Sequence, residues 1–215
     1  MNKKYCFFDL DGTLTESGEG IMNSARYALT TLGYPIPSEE TLRSFIGPPL
    51  KEMFMSRYGM DESAAEETVR IYRTYFAEKG IFENKLYDGI KELLERFSQS
   101  DKMAIVCTSK PEKYTLQILD HFGIKDKFHF IAGAVLDGVR AKKPEIIAHI
   151  LDTLKLPKEE CVMIGDTEFD VLGAKEHGIT SVGVLYGYGT PESLEKAGAD
   201  YIVKDVSELS KLIFD

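Results

Sequence analysis

The stretch Tyr5-Cys6-Phe7-Phe8-Asp9-Leu10-Asp11-Gly12-Thr13 decides how the rest of the chain is read. Four apolar or aromatic residues run without alternation, as in a short strand covered on both faces. The run stops at an acid. Asp9 and Asp11 lie two positions apart at the strand's end, so both carboxylates can face the same side. Gly12 then permits a sharp exit that a larger residue would hinder.

Further buried-strand patterns follow from residue 84 onward. Lys102-Met-Ala-Ile-Val-Cys107, Cys161-Val-Met-Ile-Gly165 and Ser181-Val-Gly-Val-Leu185 are the clearest, with Phe128–Ile131 and Tyr201–Val203 weaker. Amphipathic helices lie between them. Ile90, Leu93, Leu94 and Phe97 follow helical spacing, as do Ile147, Ile150, Leu151 and Leu154. Pro111 and Pro144 are placed in helical first turns, and Asp88 is placed to start the helix carrying Ile90. Such alternation predicts an α/β fold, a doubly wound parallel sheet whose ligands bind beyond the carboxyl ends of its strands.

Residues 15–83 break the rhythm. Ile21, Ala25, Ala28, Leu29 and Leu32 mark one helix ending at Gly33, and a second is predicted from Asp61 to Lys79. Ser63 and Glu66 stand at capping-box spacing in the latter. The expectation is an all-helical domain over 15–83, inserted into a core domain formed by 1–14 and 84–215.

Composition narrows the function. The chain has 215 residues, 43% hydrophobic and 28% charged, with 26 Lys and Arg against 35 Asp and Glu for a net charge of −9. That balance argues against a duplex nucleic-acid surface, which needs clustered basic residues. No apolar run reaches the roughly 18 residues of a membrane helix, and the apolar patch after Lys3 and Lys4 is too short for a secretion signal. A cytoplasmic protein is expected. Cys6, Cys107 and Cys161 sit in or beside apolar runs as free, buried thiols.

Four short segments carry possible chemistry, each at a predicted strand or helix end. They are Asp9-Leu-Asp11-Gly12-Thr13, Thr108-Ser109-Lys110 ahead of Pro111, Lys143 ahead of Pro144, and Gly165-Asp166-Thr-Glu-Phe-Asp170. Thr108 and Ser109 at a helix start would make an anion cradle. Each segment also has an ordinary role: Asp-Gly in a turn, Thr or Ser as an N-cap, Lys143 as a solvated charge, Asp166 and Asp170 as cap and helix surface. Their convergence on one rim of a doubly wound sheet favours chemistry. Asp9, Asp11, Asp166 and Asp170 set four negative charges against Lys143, an imbalance that a divalent ion, most plausibly Mg²⁺, would relieve. Thr108 and Lys143 would then hold a substrate phosphate while a carboxylate attacks phosphorus.

In this order the four motifs resemble the haloacid dehalogenase superfamily of phosphohydrolases, and the helical insertion resembles the cap of its first cap class. Phe45-Ile-Gly-Pro-Pro-Leu50, Thr108-Ser-Lys110, Tyr186-Gly-Tyr-Gly189 and Ala197–Ile202 are similar to the phosphoglycolate phosphatase and 5′-nucleotidase-like branch. The resemblance implies Asp9 as nucleophile and Asp11 as acid and then base, its pKa raised by its acidic neighbours. It also implies Mg²⁺ on the Asp9 carboxylate, the Asp11 carbonyl and Asp166, with Asp170 orienting Lys143 or a metal-bound water. Thr108 and Lys143 would bind phosphoryl oxygens, helped by Gly12 and Ser109. Arg43 and Lys51 are candidates for substrate selection, with Ser17-Gly18 part of a hinge. The implied activity is Mg²⁺-dependent hydrolysis of a small phosphorylated metabolite. A sugar phosphomutase of the same superfamily, or a phosphoacceptor signalling module, is the alternative.

Overall fold

The structure, a computed structural model, describes residues 1–135 and 140–215. In chain order the elements are β1 (Tyr5–Phe8), β2 (Thr15–Glu16), α1 (Gly18–Thr31), α2 (Glu39–Arg43), α3 (Leu50–Tyr58) and α4 (Glu62–Tyr75). A π-helical turn (Phe76–Gly80) follows, then β3 (Lys85–Leu86), α5 (Ile90–Ser98), β4 (Met103–Pro111), α6 (Glu112–His121) and β5 (Phe130–Ala134). The remainder is α7 (Lys143–Leu154), β6 (Cys161–Gly165), α8 (Glu168–His177), β7 (Thr180–Val184), α9 (Pro191–Ala197), β8 (Tyr201–Val203) and α10 (Val206–Phe214). The chain divides into one unit of Met1–Thr15 with Leu86–Asp215 and another of Glu16–Lys85.

The first unit is built on a six-stranded sheet in the order β5-β4-β1-β6-β7-β8. Every pairing is parallel. β1 lies between β4 and β6, with Phe8 in register with Val106 on one side and Ile164 on the other. The strand order reverses at β1, so a crevice opens past its C-terminal end, where Asp9 follows. Alternate residues of β1 serve opposite faces. Phe7 joins Ile105, Cys107 and Met163 in a core closed by Ile146, Ile147, Ile150 and Leu151 of α7. Phe8 meets Phe97 of α5 edge-on at 5.6 Å, and Phe97 in turn meets Phe214 of α10 at 5.0 Å. Cys6, Cys107 and Cys161 are free and buried.

Several local expectations shift. β4 runs on to Pro111 and α6 opens only at Glu112. A residue before proline is pushed toward extended backbone, which keeps Lys110 in the strand. Gly89, at φ 86°, stands at the start of α5 with no side-chain cap, so exposed Asp88 does not begin that helix. Leu154 and Leu32 are each 36% exposed. Both keep the helical spacing but fall at helix ends, past the core.

In the helical unit, Ile21, Ala25, Ala28 and Leu29 of α1 are buried, and α4 caps on Asp61, whose Oδ1 accepts the Ala64 N–H at 2.8 Å. Ser63 is therefore inside the helix rather than its cap. A Cβ at Gly20 would stand 1.9 Å from the Gly80 carbonyl oxygen, so the contact between α1 and the π turn requires glycine. Phe45 and Ile46 are buried, and Phe45 packs on Phe54 at 5.0 Å, placing the turn before α3 in this unit's core.

Candidate active site

Three parallel strand ends and one helix start bring the acids and bases together. Asp9 follows β1, Thr108 and Lys110 lie at the end of β4, Asp166 follows β6, and Lys143 opens α7. Asp170 lies in the first turn of α8. One oxygen each from Asp9, Asp166 and Asp170 lies within 4.8 Å of the others, and all three residues are buried.

Lys143 is the cation of this cluster. Its Nζ lies 2.9 Å from Asp9 Oδ1 and 2.8 Å from Asp170 Oδ1, and donates to the Cys107 carbonyl at 2.9 Å. Lys143 is 4% exposed, whereas Lys142 is exposed to solvent, so burial distinguishes the adjacent lysines. The start of α7 is fixed by Glu145, whose Oε2 accepts the N–H groups of Ala141 and Lys142 at 2.7 and 3.0 Å.

The carboxylates are held individually. Asp9 Oδ1 accepts the Leu10 N–H at 2.8 Å as well as facing Lys143, which fixes the carboxylate's rotation. Asp166 Oδ2 accepts the Tyr188 N–H at 2.7 Å, and Oδ1 accepts the Thr13 hydroxyl at 3.4 Å. Asp170 Oδ2 accepts the Thr167 N–H and hydroxyl at 3.2 and 3.0 Å, capping α8 while Oδ1 faces Lys143. Glycines make room for this packing. A Cβ at Gly12, where φ is +84°, would fall 2.1 Å from Asp166 Oδ2, and one at Gly165 would fall 2.1 Å from Asp170 Cγ. Gly187 is as constrained: its Cβ would lie 2.3 Å from the Gly12 carbonyl oxygen.

Asp11 occupies different surroundings from those anticipated. Lys110 Nζ donates to both of its oxygens, at 2.9 and 2.7 Å, with 6% of the lysine side chain and 11% of the aspartate side chain exposed. Beside the acidic neighbours expected for Asp11, an ammonium lies directly against it. Thr108 and Ser109 lie in the strand just ahead of α6, whose cap position is Pro111. Thr108 is buried in β4, where its Oγ1 accepts the Lys110 N–H at 3.2 Å, and Ser109 beside it is half-buried, with no helix starting there.

The electrostatics follow from burial. Burial pushes Asp9 up to about 6, with Lys143 pulling it down and Asp170 and Asp11 pushing it further up. Asp166 is raised well above its ordinary value by burial, then by Asp170 and Asp9. Burial alone would lower Lys143, but Asp170 and Asp9 together lift it above an ordinary lysine, so it stays charged. Three clustered carboxylates, two of them paired with one ammonium, leave excess negative charge in a low-dielectric setting. An all-oxygen donor set of this kind suits a hard cation.

Lys110, Thr13 and Tyr188 were not anticipated as parts of the site. Tyr188 carried a signal, since it sits between two glycines just beyond β7, where a doubly wound sheet places its ligand loops. Lys110 lay inside a motif already quoted, but its partner is distant in sequence. Arg43 and Lys51 belong to the helical unit. Arg43 is the exposed last residue of α2, and Lys51 Nζ pairs with Glu62 and Glu66 at 2.6 and 2.7 Å.

Comparison with known proteins agrees with this geometry. Residues 6–184 match the family model described as haloacid dehalogenase-like hydrolase. The chain is 42% identical over 206 residues to a 5′-nucleotidase of Pseudomonas aeruginosa, covering 96% of this chain and 93% of that one. It is 41% identical over 195 residues to the tyrosine-protein kinase PtkA of Mycobacterium tuberculosis, covering 91% of this chain and 66% of that protein. Its fold matches the crystal structure of a predicted phosphatase from Clostridium acetobutylicum with a TM-score of 0.95 and 43% identity, over 99% of each chain. The chain thus belongs to the haloacid dehalogenase-like hydrolase family, as a hydrolase of the phosphatase type.

Proposed function

We propose that this chain hydrolyses small phosphomonoesters with Mg²⁺ bound, through an aspartyl-phosphate on Asp9. The observation that carries the reading is the buried group of Asp9, Asp166 and Asp170, in which Asp9 and Asp170 pair with Lys143. Asp9 and Asp166, with the Asp11 carbonyl, would hold the metal, and Asp170 would orient Lys143. Bound there, Mg²⁺ would neutralise the carboxylates and draw charge from the phosphoryl oxygens.

The protein's own groups carry the steps. Asp9, its rotation fixed by the Leu10 N–H and Lys143, attacks phosphorus along the line of the leaving oxygen. Lys143 and Thr108 hold phosphoryl oxygens, and the lysine's charge offsets the repulsion between carboxylate and phosphate. Asp11 enters the cycle carrying a proton and gives it to the departing alkoxide, then regains one from the water that cleaves the acyl-phosphate. Gly12 and Ser109 line the approach to the phosphate. The Pseudomonas relative's name makes nucleoside monophosphates the first substrate class to try, and phosphoglycolate follows from the branch resemblance. Arg43 remains the helical unit's candidate for selecting substrate, while Lys51, tied to Glu62 and Glu66, fits a role in holding that unit together.

The name of the Mycobacterium relative favours a second reading, transfer of the phosphoryl group to an acceptor other than water. Phosphate release separates the two. With p-nitrophenyl phosphate and Mg²⁺, hydrolysis gives one inorganic phosphate per nitrophenol, stops on chelation and is absent in Asp9→Asn. Nitrophenol released in excess of phosphate supports transfer instead.

A further inference from the structure

Lys110 is buried, at 9% exposure, yet it takes part in no step of the proposed reaction. A lysine confined to one rotamer gives up much of its side-chain entropy, so its burial needs a specific partner. That partner is Asp11. Both carboxylate oxygens accept from the same ammonium, at 2.9 and 2.7 Å. Contacts to both oxygens fix the carboxylate's rotation as well as its position.

The lysine's own placement is rigid. It sits in β4, parallel to β1, with its N–H on the Thr108 hydroxyl at 3.2 Å. Its carbonyl lies so close to β5 that a Cβ at Gly133 would come within 2.7 Å of it. Asp11 itself follows a strand by three residues, bridges to Thr15 and precedes Gly12 at φ +84°, so a hydrogen-bonded turn fixes its backbone and the lysine fixes its carboxylate. The Asp11 carboxylate is also absent from the group in which Asp9, Asp166 and Asp170 come within 4.8 Å. Asp9 and Asp170 thus pair with Lys143, and Asp11 pairs with Lys110.

We propose that Lys110 is the positioning residue for Asp11: it holds the acid apart from the triad and aimed at the leaving-group oxygen. The inference rests on Asp11 being the proton donor. Its signature lies in the leaving group, because a donor matters most when the departing oxygen is strongly basic. The ratio kcat/KM reports only steps through cleavage of the substrate ester, so later hydrolysis of the acyl-phosphate does not mask the effect.

The test measures kcat and KM for substituted phenyl phosphates, from phenyl to 2,4-dinitrophenyl phosphate, with saturating Mg²⁺. Wild type is compared with Lys110→Met, Lys110→Arg and Asp11→Asn, and folding of each variant is checked by thermal unfolding. Lys110→Met is expected to lose about 10- to 100-fold in kcat/KM on phenyl phosphate and less than about 3-fold on the dinitrophenyl ester. The loss falls in kcat more than in KM, and Lys110→Arg recovers part of it. A uniform loss across the series in Lys110→Met, or a rise in KM alone, overturns the proposal if Asp11→Asn still shows the steep dependence, since the lysine would then support the fold or contact substrate directly. A flat series in Asp11→Asn overturns the proton-donor reading and the proposal together. If Lys110→Met does not fold, Lys110→Arg decides, with a steeper leaving-group dependence than wild type supporting the proposal and an unchanged one overturning it.

Discussion

Lys143 Nζ stands 2.8 Å from Asp170 Oδ1, with 3% of the lysine side chain and 2% of the aspartate side chain exposed. Asp170 also closes the first turn of α8 through Thr167, so one carboxylate links helix start and lysine. Breaking a buried pair from one side leaves an uncompensated charge, which costs about 3–5 kcal/mol. Lys143→Met should therefore lower the unfolding free energy by about 3 kcal/mol in metal-free buffer and abolish turnover. Denaturant titration and a phosphate-release assay measure the two effects. Stability within about 0.5 kcal/mol of wild type would contradict this account of the pair.

Gly12 carries the constraint that ties the first motif to the fourth. A methyl group there would meet Asp166 Oδ2 at 2.1 Å, on a backbone with φ +84°. Gly12→Ala should displace Asp166 and cost on the order of 1–3 kcal/mol in strain. Calorimetric titration with Mg²⁺ should show affinity weakened at least about tenfold. Unchanged affinity would mean that Asp166 does not hold the ion.

Burial raises Asp166, and Asp9 to about 6, above the ordinary aspartate value of 3.8. The sign follows directly. A carboxylate with a raised folded-state pKa binds its proton more tightly when folded, so ionisation destabilises the metal-free protein above that pKa. For Asp9 the penalty is relieved as pH falls through about 6 toward 3.8. Asp166→Asn removes this penalised carboxyl and should raise the metal-free Tm at pH 7.5, while eliminating the Tm increase caused by Mg²⁺. The Mg²⁺ effect in wild type should be larger at pH 7.5 than at pH 5.5, because the ligands must lose protons to bind. Thermal scans with and without chelator measure this, and a lower metal-free Tm for Asp166→Asn would contradict it.

Much of the fold was legible in the chain itself. Tyr5–Phe8, Cys161–Gly165 and Tyr201–Val203 form strands with the bounds their apolar runs suggest, because a strand buried on both faces needs an unbroken apolar run. β4 extends past its run since Thr108, Ser109 and Lys110 are polar, and polar residues at a strand's end resemble a turn until their partners are known. Cap choice depends on one hydrogen bond, so Asp61 rather than Ser63 was beyond reach of spacing alone.

Within the site, adjacency along the chain was legible and adjacency in space only partly. Parallel topology was enough to bring Asp9, Asp166 and Lys143 to one rim. The pairing of Lys110 with Asp11 depends on the register of β4 against β1 and on how the chain leaves β1, which residue types do not specify. The grip of the Tyr188 N–H on Asp166 is a backbone contact, invisible to any reading of side chains.

The central claim is a covalent phosphoryl group on Asp9. Rapid acid quench during turnover of p-nitrophenyl phosphate with Mg²⁺, followed by borohydride reduction and peptide mass spectrometry, tests it directly. The account predicts homoserine at position 9, formed only while substrate and Mg²⁺ are both present. Unmodified Asp9 throughout, together with continued turnover by purified Asp9→Asn, would contradict it.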